Sequence, residues 1–261
     1  MPQDDLEYGD LVGRGASGIV YRGKWREIEV ALKRCVGVEP DMSEANIMRQ
    51  LGQHPYVTAL FGFCYANLDT TIVMQFAQHG SLYEYLHKKR NKPSLQQSII
   101  WAKQIAYAML SMHERDFIHR DLKSGNVLLT ENLNVMLCDF GTTRKAERTV
   151  EGTRGVGTYR WMAPEVLKGT LSKAADVYSF GMVFYEIIEK KLPFCDDTES
   201  MAAMKASEGK RPLLTTVDTT PIPDYVRVII QTCWAHDRHQ RPTFTKIIRS
   251  INIKSSDELF L

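Results

Sequence analysis

His119-Arg120-Asp121-Leu122-Lys123-Ser124-Gly125-Asn126 (HRDLKSGN) is followed a short gap later by Cys138-Asp139-Phe140-Gly141 (CDFG). The two stretches bring three oxygen-bearing side chains, Asp121, Asn126 and Asp139, into one part of the chain. Alone, an aspartate before Phe-Gly is most often a turn residue. At this distance from HRDLKSGN it reads instead as part of a site. Asn126 and Asp139 offer the hard oxygen donors that magnesium prefers alongside phosphates and water. Asp121 offers a carboxylate that can accept a hydrogen bond, and then a proton, from a hydroxyl. Phosphoryl transfer asks little covalent work of a protein, which must supply metal ions, donors for the phosphates and a positioned acceptor. The remaining parts of such a site should flank this stretch.

A chain of 261 residues, 44% hydrophobic, can bury a core the size of one large domain or two closely packed lobes. Its formal net charge of +2, within 25% charged residues, gives no single-sign field that would favour nucleic acid or an anionic membrane as partner. The five cysteines (Cys35, Cys64, Cys138, Cys195 and Cys233) are odd in number and lack CxxC spacing. That argues against a disulfide framework and a zinc site, and for a reducing compartment, the cytoplasm or the nucleus. The opening MPQDDLEYG has no basic or apolar signal region, and no stretch approaches ~18 uninterrupted apolar residues, so no membrane insertion is expected. There is no repeat or low-complexity tract. With only about five residues before the first strand pattern, no regulatory domain is expected among them.

A GxGxxG pattern alone is a weak signal, and its neighbours decide its meaning. In GRGASGIV (Gly13–Val20), Gly18 runs into Ile19, Val20 and Tyr21, whose β-branched and aromatic character favours a strand over the helix of a dinucleotide-binding fold. Gly13, Gly15 and Gly18 therefore sit in a strand-turn-strand whose backbone N–H groups can approach phosphate oxygens unobstructed. VALK (Val30–Lys33) reads as the next strand, and APE (Ala163–Glu165) follows the loop motifs. With these motifs the chain resembles a eukaryotic protein kinase catalytic domain from about Leu6 to Ile251. GKW (Gly23–Trp25), WMAPEV, DVYSFG and CWAHDRHQRP (Cys233–Pro242) resemble the tyrosine-kinase-like group, which includes the Raf and mixed-lineage kinases. The resemblance implies an α+β, two-lobed fold. A small antiparallel sheet with one main helix (residues 1–76) would bind nucleotide, and a larger, mainly helical lobe (77–261) would carry catalysis and the protein substrate.

The resemblance assigns Lys33 to the α- and β-phosphates of ATP and makes Glu44 its partner. Glu44, Ile47, Met48 and Leu51 recur at i, i+3, i+4 and i+7 and share one helix face. This chain departs from many kinases in one respect: only Arg34 and CVGVEPDMS separate Lys33 from Glu44, which places Glu44 in or near the first helical turn. Pro40 suits the first helical position, and Asp41-x-x-Glu44 or Ser43 could cap that end, in competition with Lys33. Thr71–Gln75 reads as a buried strand leading past Gly80 into a helix from Ser81. By resemblance this is the hinge: Met74 guards the back of the adenine pocket and the backbones of Gln75 and Ala77 bond the base. Val12, Val20, Ala31 and Leu128 would sandwich it, although apolar residues at those positions suit a plain core equally well.

In the second lobe, Ser94-x-x-Gln97 after Pro93 resembles a capping box, and Ala102, Ile105, Ala106, Met109 and Met112 mark a long buried helix. It leads to the loop where, by resemblance, Asp121 accepts the substrate proton, Lys123 neutralises the γ-phosphate, and Asn126 and Asp139 hold magnesium, with two ions expected. Met48, Leu60, His119 and Phe140 are expected to stack into a column anchored by Asp176, and Cys138 to be a small buried hydrophobe. Arg241 is expected to pair with Glu165. Thr198 to Glu208 reads as a surface helix closed by Gly209.

Between Gly141 and Ala163, threonines alternate with Arg144, Lys145, Arg148 and Arg154. Arg120 implies a basic pocket for a phosphothreonine at Thr149 or Thr153, placed by an upstream kinase or by autophosphorylation. Exposed polar residues are equally ordinary in such a loop. Lys123 and Thr158 resemble serine/threonine kinases, in which Thr158 would join the catalytic group by hydrogen-bonding Asp121 and Lys123, so the expected partners are proteins with serine or threonine acceptors, with some tyrosine activity as an alternative. The rival readings are a nucleotide-binding pseudokinase scaffold and a small-molecule kinase. The full set Lys33, Glu44, Asp121, Lys123, Asn126 and Asp139 argues against the first, and the APE and GTYRW segments against the second.

Overall fold

The protein is described by a computed structural model covering residues 1–15, 18–36, 43–66, 69–145, 159–215 and 221–257. Strands β1 (Leu6–Gly15), β2 (Gly18–Trp25), β3 (Ile28–Val36), β4 (Leu60–Ala66) and β5 (Asp69–Gln75) form one antiparallel sheet in the order β1-β2-β3-β5-β4. Alternation along β3 sorts its side chains by face. Val30 and Leu32 join Leu6, Cys64 and Val73 in a small apolar cluster on one side. Ala31 and Lys33, paired with Met74 and Ile72 of β5, face the other. β1 and β2 meet at Gly15 and Gly18. Gly18 has φ of 139°, and a Cβ there would lie 2.6 Å from the Arg34 carbonyl oxygen, so position 18 admits no side chain.

Helix α1 (Ser43–Leu51) packs its buried Glu44, Ile47, Met48 and Leu51 inward. Glu44 is its second residue, as the short connection to β3 suggests. The capping choices at Pro40 and Asp41, and the Ser43 side chain, lie outside the described residues.

The chain past the hinge differs from a simple helix beginning at Ser81. Gly80–Ser81 first pairs, as β6, with Leu128 and Leu129. Ser81 then caps the adjoining turn: its Oγ accepts from Glu84 N at 3.2 Å, while Glu84 Oε2 accepts from Ser81 N at 3.4 Å. Glu84–Lys88 is wound as a π-helix, closed by Lys89 N donating to Glu84 O at 2.8 Å.

Helix α2 (Leu95–Glu114) starts at Ser94, whose Oγ accepts from Gln97 N at 3.1 Å. Three short strands come next: β7 (Phe117–Ile118), β8 (Val127–Leu129) and β9 (Val135–Leu137). β8 lies between β6 and β9, and β7 pairs with β10 (Arg144–Lys145). Helix α3 (Lys173–Glu189) is buried continuously from Ala175 to Glu189, which makes it the core of the lobe. It packs on α5 (Asp224–Cys233) at Gly181, where a Cβ would come within 2.9 Å of Cys233 Cβ. Helix α4 (Glu199–Ser207) is capped by Thr198 and ends before Gly209 at φ of 83°, and α6 (Phe244–Asp257) closes the lobe against α2. The whole is a two-lobed α+β fold. Among the described residues no helix is long and apolar enough to cross a membrane.

Candidate active site

A cavity of about 330 Å³ lies between the sheet and the helical lobe. Val12, Gly13, Gly18 and Val20 cover it from β1 and β2, Ala31 and Lys33 from β3, Met74, Gln75 and Ala77 from the hinge, and Leu128, Asn126 and Asp139 from below. One end is apolar and the other carries the charged groups. Thr58, Ser81, Glu84 and Cys138 also line it, and no sequence motif marked them as cavity residues. Thr58 donates its hydroxyl to Leu137 O at 2.9 Å, a link to β9 with no local signature.

At the charged end Lys33 Nζ lies 2.6 Å from Glu44 Oε2, with both side chains only 7% exposed. Burial alone would push the Lys33 ammonium down, but the charge and hydrogen bond of Glu44, and then the charge of Asp139, leave it above the ordinary lysine value. Lys33 therefore stays charged through neutral pH. Because its folded pKa is raised, its contribution to stability is complete below the unfolded value and is lost as pH rises through the folded one. Replacing Glu44 by Gln removes a charge-assisted bond of roughly 1.5–3 kcal/mol. Glu44→Gln is expected to lower kcat/KM about 10- to 100-fold in steady-state phosphotransfer, and unchanged kinetics would contradict a role for the pair.

Asp121, Lys123 and Asn126 form a second group on the loop after β7. Lys123 Nζ sits 2.7 Å from Asp121 Oδ2, and Asn126 Nδ2 donates to Asp121 O at 2.8 Å and to Asp121 Oδ2 at 2.9 Å. The Asp121 carboxylate is thus held by two neighbours, and its side chain is 15% exposed. The loop is anchored from α3, where Asp176 accepts from His119 N at 2.9 Å and Arg120 N at 3.0 Å, and contacts His113 Nε2 at 2.8 Å. Arg120 at φ of 73° and Asp139 at 61° occupy the left-handed region, strain of about 1–3 kcal/mol each that the surrounding bonds hold in place.

Phe140 and His119 are fully buried with ring centroids 5.7 Å apart, Met48 lies in the same core as Phe140, and Leu60 packs against that core. With Phe140 inside, Asp139 faces the cavity. Burial pushes the Cys138 thiol well above its ordinary value, and its Sγ donates to Asn126 O at 3.4 Å. Arg120 donates to Thr142 O at 3.2 Å, and burial followed by the nearby Arg144 charge lowers its pKa. Thr149, Thr153 and Thr158 lie outside the described residues.

The donor set suits magnesium. Asn126 turns its amide nitrogen to Asp121, which leaves its oxygen as the donor to pair with the Asp139 carboxylate. No cluster of three or more His, Cys, Asp or Glu that could hold a metal ion occurs among the described residues.

Residues 6–251 match the family model for protein tyrosine and serine/threonine kinases. The chain is 33% identical to serine/threonine-protein kinase STY46 of Arabidopsis thaliana, over 94% of this chain and 44% of the relative. It is 34% identical to mitogen-activated protein kinase kinase kinase 10 of Xenopus laevis over 98% of this chain and 27% of the relative. Mitogen-activated protein kinase kinase kinase 13 of Homo sapiens matches at 33% over 99% of this chain and 26% of its own length. The chain spans less than half the length of these curated relatives. By fold, by the geometry of the cleft and by these matches, the chain belongs to the protein tyrosine and serine/threonine kinase family.

Proposed function

We propose that this domain transfers the γ-phosphoryl group of ATP to serine and threonine hydroxyls of protein substrates in intracellular signalling. The observation that carries the reading is the convergence of Lys33, Glu44, Asn126 and Asp139 on one cavity, with Asp121 and Lys123 tied to Asn126 at its edge. At the apolar end, Val12, Val20, Ala31, Met74 and Leu128 suit a flat base. Gln75 N donates to Ala59 O and Ala77 O accepts from Gly80 N, so the carbonyl of Gln75 and the N–H of Ala77 are the groups assigned to adenine. Gly13, Gly15 and Gly18 let backbone N–H groups approach the phosphates, and Lys33 binds the α- and β-phosphates.

Magnesium, proposed as two ions on Asn126 and Asp139, supplies charge neutralisation for the transferring group. Asp121 holds the acceptor hydroxyl and takes its proton, and Lys123 balances the γ-phosphate charge. The lysine of HRDLKSGN, Thr158 and the serine/threonine kinases among the relatives support a serine or threonine acceptor. The odd, scattered set of five cysteines without CxxC spacing supports a reducing, cytoplasmic or nuclear setting. The test is labelled ATP with magnesium and a generic protein substrate: label is expected on protein and lost on chelation with EDTA, whereas ATP turnover without protein labelling would overturn the reading.

Arg120 and Arg144 supply positive charge beside Thr142, which supports an activating phosphate at Thr149 or Thr153. Mass spectrometry of active protein is expected to find phosphate between Thr142 and Thr158, and its absence would contradict that assignment.

A further inference from the structure

The cationic residues of the chain are unevenly spread. Its formal net charge is only +2, yet between Glu84 and Glu114 it carries no Asp or Glu and five cations, Lys88, Lys89, Arg90, Lys92 and Lys103. Lys88, Lys89, Arg90 and Lys92 fall together at the end of the π-helical turn, and each is exposed. Lys88 Nζ lies 3.1 Å from Glu84 Oε1, and Lys89 Nζ donates to His79 O at 2.9 Å. Arg90, Lys92 and Lys103 make no ion pair among the described residues.

The backbone keeps these charges together. Lys89 N donates to Glu84 O and Asn91 N to Tyr85 O, and Arg90 between them has φ of 53°. Glycine or asparagine usually takes this left-handed position at a helix end, because a Cβ there is strained. Arginine gives up that ease and adds a charge. The carbonyls of a helix end attract cations to its last turn, but Arg90 and Lys92 lie beyond that turn.

The run also stands beside the site. His87 bonds Glu186 Oε1 at 2.8 Å, and Ser124, which follows Lys123, bonds the same oxygen at 2.6 Å. Glu84, at the start of the same turn, lines the nucleotide cavity. The cations are thus adjacent to the cavity wall and to the loop that carries Asp121. Ile100 is the one large apolar side chain exposed between residues 84 and 103, so this surface has no apolar face to seat in a bilayer. A hydrated, carboxylate-bearing chain suits it better.

We propose that Lys88, Lys89, Arg90 and Lys92 form a docking surface for an Asp- and Glu-rich segment of the protein substrate. The inference rests on the kinase reading above and extends it to substrate choice. Charge complementarity of this kind selects partners and speeds their encounter, and salt screens it.

The test uses two peptides with one serine acceptor, flanked on both sides by glutamates in the first and by glutamines in the second. At low salt kcat/KM is expected to be about tenfold higher for the glutamate peptide, and at about 0.5 M NaCl the ratio is expected to fall toward one. In the double variant Arg90→Gly with Lys92→Gln the low-salt ratio is expected to drop to about twofold, with KM for ATP and kcat/KM for the glutamine peptide unchanged. Arg90→Gly alone removes charge and backbone strain together, so its Tm is expected at or above that of wild type, which separates lost docking from lost folding. Arg90→Lys is expected to keep the preference. A wild-type ratio near one, or a ratio that survives the double substitution, overturns the proposal. Binding of wild type to phosphatidylserine vesicles without a peptide preference also overturns it, in favour of a membrane. Should wild type label no protein at all, the kinase reading fails, and fluorescence anisotropy of the labelled glutamate peptide still decides. Salt-sensitive binding weakened about fivefold in the double variant upholds the surface, and equal binding overturns it.

Discussion

Asp121→Asn is expected to lower kcat about 10²–10⁴-fold, the usual loss when a general base is removed. The change is nearly isosteric. An asparagine at this position keeps an oxygen to accept from Lys123 Nζ or Asn126 Nδ2, and the backbone contacts of the loop with Asp176 are untouched. What disappears is the ability to take a proton and the negative charge facing Lys123. Nucleotide affinity should therefore change little, because the base-binding end and the Lys33–Glu44 pair lie on other elements. Steady-state kinetics with titration of ADP and magnesium separates these effects. A loss of less than tenfold would mean that Asp121 is not the base, and a parallel collapse of nucleotide binding would mean that the substitution acts through structure.

Arg241→Ala is expected to destabilise the protein by about 3–5 kcal/mol, because deleting one partner of a buried ion pair strands the other. The Arg241 side chain is wholly buried and uses its fork fully. Nη1 donates to Glu165 Oε1 at 2.5 Å and Ala174 O at 3.0 Å, Nη2 to Glu165 Oε2 at 2.9 Å and His236 O at 3.4 Å, and Nε to Ala235 O at 2.9 Å. Its guanidinium also stacks 5.0 Å from the Tyr178 ring centroid. Alanine would leave Glu165 and three carbonyls unpaired in a packed region. For a chain this size each kcal/mol shifts Tm by roughly 2–4 °C, so calorimetry should register a drop of about 6–20 °C. A Tm within ~2 °C of wild type would show that the pair contributes no net stability. Glu165→Gln and the double variant would apportion the coupling, since residues in one network do not add.

Much of the fold is written locally. The i, i+3, i+4, i+7 spacing from Glu44 to Leu51 gives the buried face of α1, and the short run between Lys33 and Glu44 puts the carboxylate at the helix start, where it meets the lysine. Alternation along VALK sends Lys33 to the cavity while Val30 and Leu32 go to the opposite cluster. Ser94 announces α2 through its own side chain.

Features that escape a reading of the sequence depend on distant partners or on fine backbone choices. The π-helical winding at Glu84–Lys88 shifts each bond by one residue, and no apolar period records that. Ser81-x-x-Glu84 does carry a capping signal, masked by its position beside the hinge motif. Glu186 of α3 accepts hydrogen bonds from Trp161, Ser124 and His87, which lie 25, 62 and 99 residues away, so these contacts emerge only from tertiary packing. Thr58 likewise joins Leu137 across 79 residues.

Transfer from ATP to an alcohol on a protein is the chemistry on which every site assignment depends, and phosphoamino-acid analysis of substrate labelled by the purified domain tests it most directly. Phosphoserine and phosphothreonine are expected, abolished by EDTA and reduced at least about 10²-fold in Asp121→Asn. Label confined to phosphotyrosine, or label that survives Asp121→Asn undiminished, would contradict it.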